Sequence, residues 1–248
     1  ASDVYKRQES TYENEYMTDK LTSHAIQFMN KQSNATPFFL YLGYNAVHNP
    51  WQAEKKYYDR LSNIKDEYMR VQASLIACAD ENIGILLNYL ENRKLIDNTI
   101  IVFVSDNGPA KGGPELKTWE GYDPSFEYVF GQMKTLRGHK VDLYEGGIRT
   151  PMIIAYKPLL REGKVFRDMI STLDFYPTIC EMTGSEIPEG TTLDGVSLVR
   201  YLREETKQQP HDMLFWCRNN FGAARMGVWK LYKAVSYTHL RAHETLRH

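Results

Sequence analysis

Thr99-Ile100-Ile101-Val102-Phe103-Val104 is an unbroken run of β-branched and aromatic residues with no polar alternation, the pattern of a strand covered on both faces. Pro37-Phe38-Phe39-Leu40-Tyr41-Leu42-Gly43-Tyr44 repeats that pattern, and Met152 to Tyr156 predicts a shorter third strand. Helical periods lie between them. From Asp66 to Lys94, the residues Met69, Ala73, Ile76, Asp80, Ile83, Leu87 and Leu90 recur three or four apart, which predicts one long helix with a single packing stripe. Asp80, the only charged member of that stripe, reads as a carboxylate satisfied by a hydrogen-bond partner, and Cys78 beside it as a small buried hydrophobe. Thr18 or Asp19 is placed to cap an earlier helix carrying Leu21, Ala25, Phe28 and Met29 and ending near Asn34. Asp174-Phe175-Tyr176-Pro177-Thr178 opens another with proline in its first turn, and Gly184 closes it. After the Leu193-Asp194-Gly195 turn comes a short helix from Ser197 to Arg203. Beyond Pro210 the texture changes to short strands, Met213 to Cys217, Gly222 to Met226 and Trp229 to Lys233, separated by Asn-Asn and Gly turns. The pattern predicts an α/β fold over residues 9–205, with a mixed, mostly parallel sheet flanked by helices. Residues 206–234 are expected to begin a small antiparallel subdomain.

Composition narrows the class without naming a chemistry. With 248 residues, 42% hydrophobic and 25% charged residues and a formal net charge of -1, the chain is long enough for one sizeable core and offers no basic face for nucleic acid or an anionic membrane. Its longest apolar runs fall far short of the roughly 20 residues a membrane-spanning helix needs. Cys78, Cys180 and Cys217 show no metal-binding spacing and allow at most one disulfide.

The two ends read differently from the rest. Asp3-Val4-Tyr5-Lys6-Arg7-Gln8 can be encoded by GATGTGTATAAGAGACAG, and the reverse complement of that string, in another frame, encodes the Val235-Ser236-Tyr237-Thr238-His239 found near the other end. Such an inverted repeat resembles translated sequencing adapter, so 1–8 and 235–248 are expected to lie outside the fold and the natural protein to extend beyond both.

Candidate chemistry gathers where the strands stop. The run at Thr99–Val104 ends on Ser105-Asp106-Asn107-Gly108, and the carboxyl ends of strands are where α/β sheets bind ligands. Asp106 and Asn107 offer two oxygens to a hard cation, and the same tripeptide is also good turn chemistry. His48 lies in the loop just past the second strand, where Pro50 favours an extended or turn conformation. About thirty residues after Gly108 lack periodicity; their aromatics Trp119, Tyr122, Phe126, Tyr128 and Phe130 suit either a sugar platform or a local cluster. The stretch ends in Leu136-Arg137-Gly138-His139-Lys140 and Tyr144-Glu145-Gly146-Gly147-Ile148-Arg149, whose cations suit an oxyanion or, equally, a solvated basic loop.

Taken in order, these pieces resemble the sulfatase family of the alkaline-phosphatase superfamily, in particular arylsulfatase-like enzymes acting on carbohydrate sulfates. The resemblance runs from about Thr18 to Lys233 and includes Asp174-Phe175-Tyr176-Pro177-Thr178, Leu193-Asp194-Gly195 and Gly227-Val228-Trp229-Lys230-Leu231. It implies that Asp106 and Asn107 supply oxygen ligands to a divalent cation, usually Ca2+, and that His48 and Lys140 contact the sulfate or ester oxygen. Arg137 and His139 are implied substrate contacts, and Arg149 either joins them or pairs with a carboxylate. The implied partner is a sulfated small molecule or glycan, and the implied location follows export: periplasmic, extracellular or lysosomal.

One departure stands out. The family's nucleophile is a formylglycine made from the first residue of a Cys/Ser-x-Pro-x-Arg motif, and no such motif occurs in these 248 residues. The chain alone is therefore expected to lack sulfatase activity. A phosphoester or phosphonate hydrolase of the same superfamily and a non-catalytic carbohydrate-binding relic are the alternatives. Asn34-Ala35-Thr36 is a glycosylation sequon.

Overall fold

The computed structural model describes residues 15–33, 36–48, 51–110 and 135–234. The adapter-like ends, the sequon's Asn34 and Ala35, and the loop aromatics from Trp119 to Phe130 lie outside the described residues. The chain divides into two compact units, residues 1–96 and 97–248.

In the first unit, α1 (Met17–Asn30) and α2 (Lys55–Arg60) accompany the long α3 (Glu67–Asn92). Asp66 caps α3, its Oδ1 accepting from the Met69 N–H at 2.7 Å, worth about 1 kcal/mol. The long helix forms as expected, but its buried stripe is rotated. Tyr68, Leu75, Cys78 and Asn82 are buried, whereas Met69 is 51% and Ile76 57% exposed and Asp80 faces solvent. Two apolar stripes run along this helix, and α1 selects the one carrying the better polar complement. Asp19 on α1 accepts from the Asn82 amide at 2.6 Å and from the Cys78 thiol at 3.9 Å, a polar seam that no apolar-only pattern shows. Thr18 and Asp19 therefore lie inside the first turn of α1, not at its cap; Tyr16 is the cap residue, and Thr18, Thr22, Ala25 and Met29 form the buried stripe.

Residues 37–44 form no helix and no ladder among the described residues. Phe38 meets Phe28 edge-on at 6.0 Å and the Tyr44 hydroxyl meets Thr22 at 2.7 Å, so the even positions lean on α1. The odd ones do not: Phe39 is 74% and Tyr41 84% exposed. Burial on both faces, expected from the unbroken apolar run, is corrected to burial on one.

The second unit holds β1 (Ile101–Val104), α4 (Glu145–Ile148), β2 (Met152–Ala155), α5 (Phe175–Thr183), α6 (Val199–Leu202), β3 (Leu214–Arg218), β4 (Phe221–Met226) and β5 (Trp229–Ala234). The α/β class holds. Strand direction does not follow the expectation: β1 pairs antiparallel with β2, Ile101 opposite Ala155 and Val104 opposite Met152, and no parallel pairing occurs among the described residues. An unbroken apolar run specifies burial, not direction, and the outer half of β1 is itself open, with Phe103 45% exposed. The expected meander is present as an antiparallel β3-β4-β5 sheet.

Asp174 is the hub of this unit. It is fully buried; its carboxylate accepts from the N–H groups of Ser171 at 2.7 Å and Val196 at 2.9 Å, and His211 Nε2 lies 2.8 Å away. Gly195 sits so close that a Cβ there would stand 2.1 Å from the Leu173 carbonyl oxygen. Gly184, with φ 69°, ends α5 in the left-handed conformation that glycine adopts without strain.

Candidate active site

β1 delivers Ser105, Asp106 and Asn107 into a turn that the Ser105 hydroxyl fastens by donating to the Asn107 carbonyl at 3.1 Å. Asn107 donates one side-chain N–H to the Gly108 carbonyl at 2.9 Å, and its Oδ1 is the atom that can serve as a metal ligand. Asp106 is exposed and makes no ion pair among the described residues.

The cation loop is bound to this turn through backbone. Gly108 N–H donates to the Gly147 carbonyl at 2.9 Å, Lys140 N–H to the Pro109 carbonyl at 2.6 Å, and Gly146 N–H to the Arg137 carbonyl at 2.7 Å. Approach this close requires glycine: a Cβ on Gly108 would lie 1.8 Å from the Gly146 oxygen, and one on Gly146 would lie 2.2 Å from the Gly138 oxygen. The second unit therefore brings Asp106, Asn107, Arg137, His139 and Lys140 into one interlocked backbone knot.

Side chains within the knot are individually oriented. Asp142 Oδ2 lies 2.9 Å from His139 Nδ1 and accepts the His139 backbone N–H at 3.0 Å, so the imidazole presents Nε2 as its other polar edge. The Arg137 guanidinium lies 4.0 Å over the Tyr144 ring, and Tyr144 stacks on Tyr232 with centroids 4.4 Å apart. Burial, followed by the Tyr144 and Asp142 neighbours, pushes the Tyr232 phenol up from its ordinary value. Lys140 is half-buried and enters no ion pair among the described residues. Arg149 is exposed, and its N–H donates to the Glu145 carbonyl at 2.8 Å.

His48 belongs to the first unit, exposed in a turn where its N–H donates to the Asn45 carbonyl at 2.8 Å. That unit also gathers Asp19, Glu54 and Cys78 within metal-binding reach of one another. They do not suit a hard cation. Asp19 already accepts from Asn82, Lys56 pairs with Glu54 at 3.0 Å, and burial pushes the Cys78 thiol up, keeping it protonated. Among the described residues, a depression of about 380 Å³ opens elsewhere, on the face of the C-terminal sheet bearing Phe215, Cys217, Ala224 and Leu231.

Sequence reasoning left Asp142, Asp174, His211 and the partners of Glu145 without a role. Asp142 carried a usable signal in its position three residues after a candidate histidine, and Asp174 one in its position three residues after Ser171; the remaining contacts act across 22 to 85 residues of sequence.

Residues 1–185 match the family model described as Sulfatase, and residues 139–238 match that of the C-terminal part of N-sulphoglucosamine sulphohydrolase. The chain is 32% identical over 219 residues to the uncharacterized sulfatase YdeN of Escherichia coli strain K12, covering 86% of this chain and 36% of that protein. It is 28% identical over 240 residues to arylsulfatase J of Mus musculus, with 92% and 37% covered. Among solved structures, it resembles Ps i-CgsB in complex with k-i-k-neocarrahexaose at a TM-score of 0.74 and 31% identity, covering 92% of this chain and 48% of that one. The chain thus spans just over a third of these curated relatives.

Proposed function

The chain belongs to the sulfatase family, and from that premise we propose that the full-length protein hydrolyses the sulfuric ester of a carbohydrate or aryl alcohol, with Lys140, Asp106 and Asn107 at its centre. The observation that carries the reading is the backbone knot, which couples the Asp106-Asn107 turn to Lys140 through Gly108, Pro109 and Gly147.

Asp106 and Asn107 fit a hard divalent cation such as Ca2+. Both ligand atoms on offer are oxygens, and Asn107 has one side-chain N–H engaged with Gly108. Calcium takes six to eight oxygens, so these two are part of a shell that other residues complete. When bound, such an ion draws charge from the sulfuryl oxygens. The chain's own groups do the rest. Lys140 places an ammonium where negative charge grows as the S–O bond breaks, and either Lys140 or His48 protonates the departing alcohol. Arg137 and His139 hold sulfate oxygens, Arg137 braced by Tyr144 and His139 by Asp142. The role of His48 rests on resemblance alone.

The nucleophile, a formylglycine, lies on this reading in a segment outside these 248 residues. A glycan substrate is supported by Ps i-CgsB, solved with an oligosaccharide. The family match does not favour the phosphoester hydrolase or the carbohydrate-binding relic.

The test is a paired assay of the full-length protein on an aryl sulfate and the matching aryl phosphate. Sulfate release that chelator abolishes and calcium restores is expected, with no turnover by the 248-residue chain alone. Preferential phosphate release would overturn the assignment.

A further inference from the structure

Three strands of the C-terminal sheet each send a side chain into the loop that carries Lys140. From β3, Arg218 donates to the Val141 carbonyl at 3.1 Å. Arg225 on β4 and Lys230 on β5 each reach the Glu145 carboxylate at 2.8 Å, one on each oxygen. Tyr232 on β5 stacks against Tyr144. Glu145 is 3% exposed and the Lys230 side chain only 1%, so this pairing is shielded from water, and removing one partner leaves an uncompensated buried charge.

The place these contacts converge on is strained. Val141, the residue after Lys140, has φ 78°, a left-handed conformation that a β-branched residue avoids and that persists only where surroundings hold it. Arg218 holds its carbonyl. Glu145 opens the helical turn whose Gly146 and Gly147 form the knot with Arg137 and Gly108. The knot is bound on one side by glycine backbone and on the other by this sheet.

We propose that the β3-β4-β5 sheet is the positioning element for Lys140, with Glu145 the positioning residue that transmits it and Arg225 and Lys230 its anchors. Arg225 and Lys230 are directed at the two Glu145 oxygens and not at a substrate anion; the substrate-facing cations are Lys140 and Arg137. The assignment rests on the sulfatase reading for what Lys140 does, but not for how Lys140 is held.

Two measurements separate those parts. In the 248-residue chain, hydrogen exchange is followed at the Gly108, Lys140 and Gly146 amides, with the Val196 and Leu198 amides, bonded to Asp174 and Thr178, as references in the same unit. Glu145→Gln, Arg225→Met and Lys230→Met are expected to speed exchange of the three knot amides roughly tenfold or more while the references hold. Unchanged knot amides, or equal acceleration of the references, would overturn the proposal. In the full-length protein, Arg225→Met is expected to lower kcat about 100-fold with KM within about twofold, the signature of a misplaced catalytic group, while Glu145→Asp keeps most of the rate. A wild-type kcat in Arg225→Met would make the sheet merely structural and also overturn it. Absence of sulfatase turnover in the wild type would sink the enzymatic reading, and the exchange result would still decide the positioning role.

Discussion

Asn107 and His139 show how much of a site is fixed by what a side chain has already been given. Asn107 gives one of its two side-chain N–H groups to the Gly108 carbonyl and His139 commits Nδ1 to Asp142, which leaves Asn107 its Oδ1 and second N–H and His139 its Nε2. Cys78 illustrates the opposite case, a reactive group made inert. Burial, the largest cause, pushes its thiol up, with Asp19 and Glu54 adding to the shift. Burial likewise raises the neighbouring Tyr57 phenol and pushes Tyr16 up to about 12. A folded value above the unfolded one means stability is complete below the unfolded value and is lost as pH rises toward the folded one. Urea midpoints are therefore expected to hold near neutrality and fall above about pH 8.5, with a shallower fall in Cys78→Ala. A slope unchanged by that substitution would show that the thiol takes no part.

At the scale of elements, the turn after β1 and the turn of α4 fit only because glycine faces glycine. Gly108→Ala places a Cβ 1.8 Å from a backbone oxygen, so a loss at the upper end of the roughly 1–3 kcal/mol cost of overpacking is expected in denaturant unfolding. Asp174→Ala strips two backbone donors and His211 of their buried acceptor and is expected to cost about 3–5 kcal/mol. A change below 1 kcal/mol, on the order of a surface substitution, would contradict the hub role.

These elements also mark where sequence was legible. Helix α3, the proline-opened and glycine-closed α5 and the C-terminal meander were readable because their signals are local: periodicity, a φ preference, a turn. The buried stripe of α3 was not, because Asp19 on another helix chooses between two apolar stripes. Nor was the one-sided burial of residues 37–44, since an apolar run states what could be covered and not what covers it. In the candidate site, Asp106, Asn107 and Lys140 were proposed from motifs, whereas the glycine knot and Glu145's two anchors depend on chain segments up to 85 residues apart.

Across the whole molecule, family membership and the separate architecture of each unit agree on a chain that carries part of a sulfatase. The second unit supplies the cation loop, the oxygen pair and the sheet that braces them. The first holds a helical pair sealed by a polar seam, with His48 in one of its turns. The measurement that bears most directly on the central claim is saturation kinetics of sulfate release by the full-length protein, comparing wild type with Lys140→Met and Asp106→Ala. The account predicts that each substitution lowers kcat about 100- to 1,000-fold, the loss typical of a group that stabilises developing charge, while the fold is retained. Rates within a few-fold of wild type in either variant would contradict it.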